Sequence, residues 1–185
     1  MQIIDQLKQI RCISEFEDRD IDDALLAKIV EGASWTPSAA DAQPWEIVAV
    51  RDPERKKAIV GALLDSHLRP GLGGDERRSW LVQAPVVLVV CLDHTRAKVR
   101  FGEIGEKVFG LQDTGAAIQN IRLVAREQRV KSCLIREFDR PKVAALLELP
   151  RHVQPLTLMA LGFSQVQAHQ KAGLPLDDYF HFERW

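Results

Sequence analysis

Residues 36–45 read Thr-Pro-Ser-Ala-Ala-Asp-Ala-Gln-Pro-Trp, and their types suit the cradling of a flat ligand better than proton transfer. Two prolines fix φ and withhold donors, while Ser38, Asp41 and Gln43 set three polar side chains between alanines small enough to let a planar partner reach the backbone. The same composition describes a solvated helix-to-strand connection, so the loop alone leaves both readings open. Other chemistries find less support. Cys12, Cys91 and Cys133 are odd in number and lack Cys-x-x-Cys spacing, so they form neither a disulfide framework nor a metal-ligand set. Each reads as a small buried hydrophobe. His67, His94, His152, His169 and His181 show no paired metal spacing, and none is assigned to a metal.

Written as Pro-Ser-x-x-Asp-x-Gln-Pro-Trp, residues 37–45 resemble the Pro-Ser-x-x-Asn-x-Gln-Pro-Trp loop of the nitroreductase family of FMN-dependent oxidoreductases. Arg11-Cys-Ile-Ser-Glu-Phe16, Ala84-Pro85 before an apolar run, Asp113-Thr-Gly-Ala-Ala-Ile-Gln-Asn120, Ala160-Leu-Gly-Phe163 and Leu174-Pro-Leu-Asp-Asp-Tyr179 follow in family order. The resemblance implies one domain over residues 1–185 with an α+β fold. That fold is a three-layer α/β/α sandwich around a mostly antiparallel sheet, with a long central dimer helix and a C-terminal tail exchanged with the partner subunit. It further implies a homodimer holding FMN between its subunits. NADH or NADPH would deliver hydride, leave, and be replaced in the same pocket by a small planar nitroaromatic or quinone-like acceptor, a ping-pong scheme. No protein residue is then catalytic, because the isoalloxazine ring carries the redox chemistry. The alternative on the same scaffold is a binding protein with weakened or lost FMN binding that holds another planar ligand at the dimer interface.

Carried over position by position, the resemblance assigns cofactor contacts to Arg11, Cys12 and Ser14 near the N-terminus and to Pro37, Ser38, Asp41 and Gln43 in the loop. Counting back from Phe16, the family's two basic positions hold Ile10 and Ser14, its serine position holds Cys12, and Arg11 falls on a spacer. Asp41 stands where the family has asparagine, turning a donor-acceptor amide into an acceptor. Leu134, Ile135, Arg136 and Glu137 align with the segment whose backbone donors approach the flavin N5 edge. Lys171 matches one member of a C-terminal basic pair, and Gly173 takes the place of the other. Arg129, Lys131 and Arg136 add positive charge nearby.

The elements that must position these residues alternate between helix and strand. Ile3, Ile4, Leu7 and Ile10 predict a first amphipathic helix. Asp20 is the predicted cap of a second, buried through Ile21, Leu25, Leu26, Ile29 and Val30. A strand over residues 45–50 ends at Asp52-Pro53, where a third helix carrying Ile59, Leu63 and Leu64 begins. Residues 69–75, with three glycines and a proline, read as a flexible stretch. Residues 85–92 form an unbroken β-branched run, predicting the central strand. Residues 103–128 give the longest helical pattern, apolar around so much of the axis that it must be buried on more than one side. Gly115 within it costs about 1 kcal/mol against alanine and predicts a close packing partner. Strands over residues 131–135 and 154–162 flank a short helix capped by Asp139.

Composition excludes several classes. The 185 residues carry a net charge of −1, which argues against nucleic acid or anionic membrane as a partner. No apolar stretch reaches the roughly 20 residues of a membrane span, and no signal-peptide core opens the chain, giving a cytoplasmic expectation.

Overall fold

The computed structural model describes residues 2–64, 76–167 and 173–185, with side chains placed for all of these but residues 76–79. The predicted flexible stretch at 69–75, His67, His169 and Lys171 lie outside the described residues. Four strands, β1 (Trp45–Val50), β2 (Val86–Asp93), β3 (Lys131–Ile135) and β4 (Val153–Gly162), make one sheet in the order β1-β2-β4-β3, every neighbouring pair antiparallel. β2 is central, as its uninterrupted apolar run requires, and all eight of its residues are buried.

Alternation along β2 and β4 divides the core into two. Val86, Leu88, Val90, Met159 and Leu161 pack with Leu26 and Ile29 of α2 (Asp23–Glu31) and with Ala117, Ile118, Ile121 and Ala125 of α6 (Gly110–Glu127). Val87, Val89, Cys91, Leu158 and Ala160 face Ile59 of α3 (Pro53–Val60), Leu81 of α4 (Glu76–Gln83) and Val143 of α7 (Arg140–Leu146). Helices on both faces of an antiparallel sheet give the three-layer α+β sandwich.

Several local expectations change. The cap of α2 is Asp22, which accepts from the Leu25 N–H; Asp20 instead accepts from Ile21 and pairs with Arg51. α3 ends at Val60, so Leu63 and Leu64 follow it, and Leu63 bridges to Phe138. Two helices, α4 and α5 (His94–Ile104), arise where none is predicted. The long helical pattern is broken as well. α5 carries Gly102 at φ 57°, and residues Gly105–Phe109 wind as a π-turn before α6 begins. Only glycine fits at 105, because a Cβ there would lie 2.2 Å from the Ala97 carbonyl oxygen.

The second apolar face of this helical run is not covered by the described residues. Ile104, Val108 and Leu111 are 40–53% exposed, and a Cβ at Gly115 would meet nothing within 4 Å. The apolar face of α1 (Ile3–Gln9) is likewise open at Ile3, Ile4 and Leu7.

Candidate functional site

The loop between α2 and β1 is held by its own polar side chains. The Gln43 N–H donates to Ser38 Oγ at 2.9 Å, and Gln43 Nε2 donates to Asp41 Oδ1 at 3.0 Å. α6 anchors it from below: Asp113 Oδ2 accepts from the Ala39 N–H at 2.9 Å, and Asn120 Nδ2 donates to the buried Thr36 hydroxyl at 2.8 Å. These bonds hold Ala40, Asp41 and Gln43 at φ of 52°, 54° and 44°, a left-handed region that side chains with a Cβ occupy at a cost. Such strain persists where surrounding contacts over-determine it, and it concentrates at ligand clamps. Pro37, Ser38 and Ala39 form one wall of a cleft of about 310 Å³, facing Phe109, Gln112 and Asp113.

The N-terminal motif extends the sheet beyond β3. Cys12 bridges Ser132 in parallel, and the Ile13 N–H donates to the Ser132 carbonyl at 3.2 Å. Arg11 Nη1 donates to the Ile10 carbonyl at 2.6 Å, yet its Nε is buried without a partner, as is the hydroxyl of Ser14, a residue only 6% exposed. Arg122 reaches up from α6 to give Nε–H to Ser132 Oγ at 3.2 Å. Arg126 donates to Gln9, leaving its own Nε buried and unpartnered. A narrow pocket is lined by Arg11, Arg122, Arg126 and Lys131 together with Gln9 and Ser132, and among the described residues no acidic side chain lines it. Burial pulls the Arg122 and Lys131 pKa values below their ordinary positions, and the neighbouring Arg126 adds to the effect on Lys131. Cations crowded in this way without a carboxylate are costly unless an anion joins them. Phosphate oxygens would satisfy both the charge and the unpartnered donors.

Cys12 departs from its expected role, since it is exposed and makes polar contacts, whereas Cys91 and Cys133 are buried. The Cys133 thiol donates to the Cys12 sulfur across 2.7 Å, and the Leu134 N–H donates to the same sulfur at 3.1 Å. The Cys133 hydrogen bond first, with Leu134, Arg122 and Arg136 also contributing, lowers the Cys12 pKa from 9.0 to about 6 against the opposing effect of burial. Cys91 goes the other way, its pKa pushed up to about 12 by burial.

The remaining assigned residues divide. Leu134 lies beside Cys12, whereas the Ile135 side chain points into the core with Val89 and Phe138. Arg136 and Glu137 are exposed, and the Glu137 carbonyl accepts from Leu64. Gly173 is exposed and contributes only backbone. Arg122 and Arg126 are absent from the sequence assignment. Their signal is the i,i+4 spacing, which places two cations on one face of a helix. That face packs against β3 at Ser132.

A model of the nitroreductase family matches residues 7–163 of the chain. The chain is 26% identical over 197 residues to the FMN reductase (NAD(P)H) of Bacillus subtilis, an alignment covering 100% of this chain and 74% of the relative. It is 26% identical over 192 residues to the NADH dehydrogenase of Thermus thermophilus, covering 90% and 89%. The crystal structure of a nitroreductase family protein from Streptococcus pneumoniae superposes with a TM-score of 0.83 at 20% identity, over 98% of this chain and 100% of that one. Among the described residues no helix is long and apolar enough to cross a membrane, and no group of three or more His, Cys, Asp or Glu residues could hold a metal ion.

Proposed function

The chain belongs to the nitroreductase family, and from that premise we propose that it is an FMN-dependent oxidoreductase that draws electrons from NADH or NADPH. Its acceptors on this reading are small nitroaromatic or quinone-like molecules, taken in turn with the nicotinamide by one pocket. The observation that carries the reading is the cluster of half-buried cations at Arg11, Arg122, Arg126 and Lys131, with the Nε atoms of Arg11 and Arg126 buried and unpartnered. It has the charge and the free hydrogen-bonding capacity that a phosphate monoester needs. FMN, when bound, supplies the redox chemistry by accepting electrons from the nicotinamide and passing them to the acceptor.

The protein's share is binding and orientation. Arg11, Ser14 and Arg122 hold the phosphate on this reading, and the family resemblance assigns Lys171 and Gly173 to the same contact. Pro37, Ser38, Asp41 and Gln43 present the strained loop to the ring or the ribityl chain, with one oxygen of Asp41 already accepting from the Gln43 amide. Leu134, Ile135, Arg136 and Glu137 would supply backbone donors toward the N5 edge of the ring. Cys12 borders the phosphate donors rather than adding to them, since an anionic sulfur repels phosphate.

The working unit on this reading is a homodimer in the cytoplasm, where nicotinamide nucleotides are available. Ile104, Val108, Leu111 and the open surface at Gly115 run together along the helical segment. The tail adds Leu174, Leu176, Phe182 and Trp185, each 58–99% exposed. Exposed apolar side chains in these numbers suit an interface, and a second copy would cover both parts if the tails are exchanged.

An absorption spectrum of the protein after FMN addition and desalting, followed by anaerobic NADH or NADPH, tests the proposal. Flavin bands that survive desalting and bleach with the nucleotide support it. A colourless protein turns the reading toward a binding protein for another planar ligand. Arg122→Glu should weaken FMN binding by about 1.5–3 kcal/mol, the value of a charge-assisted hydrogen bond. Unchanged FMN affinity in that variant removes Arg122 from the site.

A further inference from the structure

We propose that Cys12 and Cys133 form a redox-active dithiol that closes to a disulfide in exchange with a small disulfide such as oxidised glutathione. The two residues are 121 positions apart in sequence, yet the fold sets their sulfurs 2.7 Å apart, within about 0.7 Å of the bonded separation. The parallel bridge from Cys12 to Ser132 produces this contact by laying the N-terminal segment along the free edge of β3. This inference stands on the described residues alone and does not depend on the flavin.

The two sulfurs have different exposures, and the difference assigns their roles. Cys12 is exposed and able to meet a disulfide from solution, while Cys133 is 8% exposed and accessible to Cys12. The Leu134 N–H and the Cys133 thiol both donate to the Cys12 sulfur, an arrangement that favours its thiolate. Arg122 and Arg136 add positive charge, and the Cys12 pKa of about 6 follows from these contacts. Cys91 takes no part, being fully buried with its pKa raised.

The chemistry balances without a metal or a further reagent. The Cys12 thiolate attacks one sulfur of the small disulfide, forming a mixed disulfide and expelling one thiolate. The Cys133 thiol passes its proton to that departing thiolate, and its sulfur attacks the Cys12 sulfur, expelling the second. The protein loses two electrons and forms one S–S bond as the external disulfide becomes two thiols. Excess small thiol reverses both steps.

Equilibration of the purified protein with graded ratios of oxidised to reduced glutathione, acid quenching, alkylation and peptide mapping tests the assignment. The expected result is one two-electron transition, with the Cys12 and Cys133 peptides cross-linked and Cys91 alkylated only after unfolding. Cys133→Ser should stop at the glutathione adduct on Cys12, and Cys12→Ser should take up no glutathione. Wild-type protein that accumulates the Cys12 adduct without cross-linking overturns the proposal, as does protein in which both residues stay alkylatable at every ratio. Because the primary result is read on the wild-type chain, poor folding of either variant does not shield the proposal.

Discussion

Alkylation of Cys12 by iodoacetamide should follow a titration with its midpoint near a pH of about 6 instead of the ordinary 9.0. At pH 7.4 a thiol with that acidity is about 96% thiolate, against about 2–3% for an ordinary cysteine. A more acidic thiolate is a weaker nucleophile, however. With a Brønsted coefficient of about 0.4–0.5, about a thousandfold gain in acidity lowers the rate per thiolate by about 16- to 32-fold. The two effects nearly cancel, leaving Cys12 only about one to three times as reactive at neutral pH as an unperturbed thiol. A rate at a single pH therefore decides nothing, and the midpoint decides the matter.

The assay is pulse alkylation from about pH 5 to about pH 10 with quantification of the Cys12 peptide, spanning both candidate midpoints. Cys91, with its pKa pushed to about 12, serves as the internal control that stays unlabelled while the fold is intact. Because the Cys133 hydrogen bond is the largest cause of the shift, Cys133→Ala should move the midpoint upward. Cys133→Ser keeps an O–H donor and should hold it low. A wild-type midpoint near 9, or a midpoint indifferent to Cys133→Ala, refutes the reasoning.

Gly162→Ala should destabilise the fold by about 1–3 kcal/mol, the usual cost of overpacking, because the new methyl would sit 2.6 Å from Phe16 Cδ1 and 2.9 Å from Pro85 Cδ. Thermal unfolding checks this at about 2–4 °C per kcal/mol for a chain of this size, and partial rescue by Phe16→Leu identifies the clash. Asp93→Ala removes the cap of α5 and the ion-pair partner of Arg96, with an expected loss of about 1–2 kcal/mol in denaturant titration. Burial opposes but hydrogen bonds from Arg96 hold the Asp93 pKa below its ordinary 3.8; the added stability is complete above that value and is lost as pH falls through the folded pKa. Asp113→Ala releases the Ala39 N–H and should cost about 1 kcal/mol of stability, with a larger loss of FMN retention if the loop holds the ring; equal stability and equal retention would separate the strained loop from α6.

What the sequence discloses follows the range of the interactions. The continuous apolar run at Val86–Asp93 announces the central strand because a segment buried on both faces needs no alternation. The loop is legible because proline and small polar residues carry their conformational meaning locally. The cap of α2 misleads because Asp20, Asp22 and Asp23 all stand within five residues before Leu25, and only the approach of the Leu25 N–H selects Asp22. α5 is hidden because its residues are mostly polar and it buries only Ala97, which leaves no apolar stripe to read. The cation cluster is less legible still. Arg122 and Arg126 look like the solvated side of a helix until β3 and the N-terminal segment close over them, and the Cys12–Cys133 contact joins positions that no spacing rule connects.

The proposed phosphate site and the Cys12 thiol share Arg122, which ties them together thermodynamically. Arg122 lies within electrostatic range of Cys12, Cys133, Arg11 and Arg136 at once. A phosphate placed on Arg11, Ser14 and Arg122 brings negative charge toward the Cys12 sulfur, so it must raise the pKa of that thiol by whatever coupling free energy the two anions share. By linkage, the thiolate weakens phosphate binding by the same amount. Disulfide formation removes the anion from Cys12 and leaves the guanidinium groups in place. If both proposals hold, Cys12 is a charge that competes for the site when reduced and withdraws when oxidised.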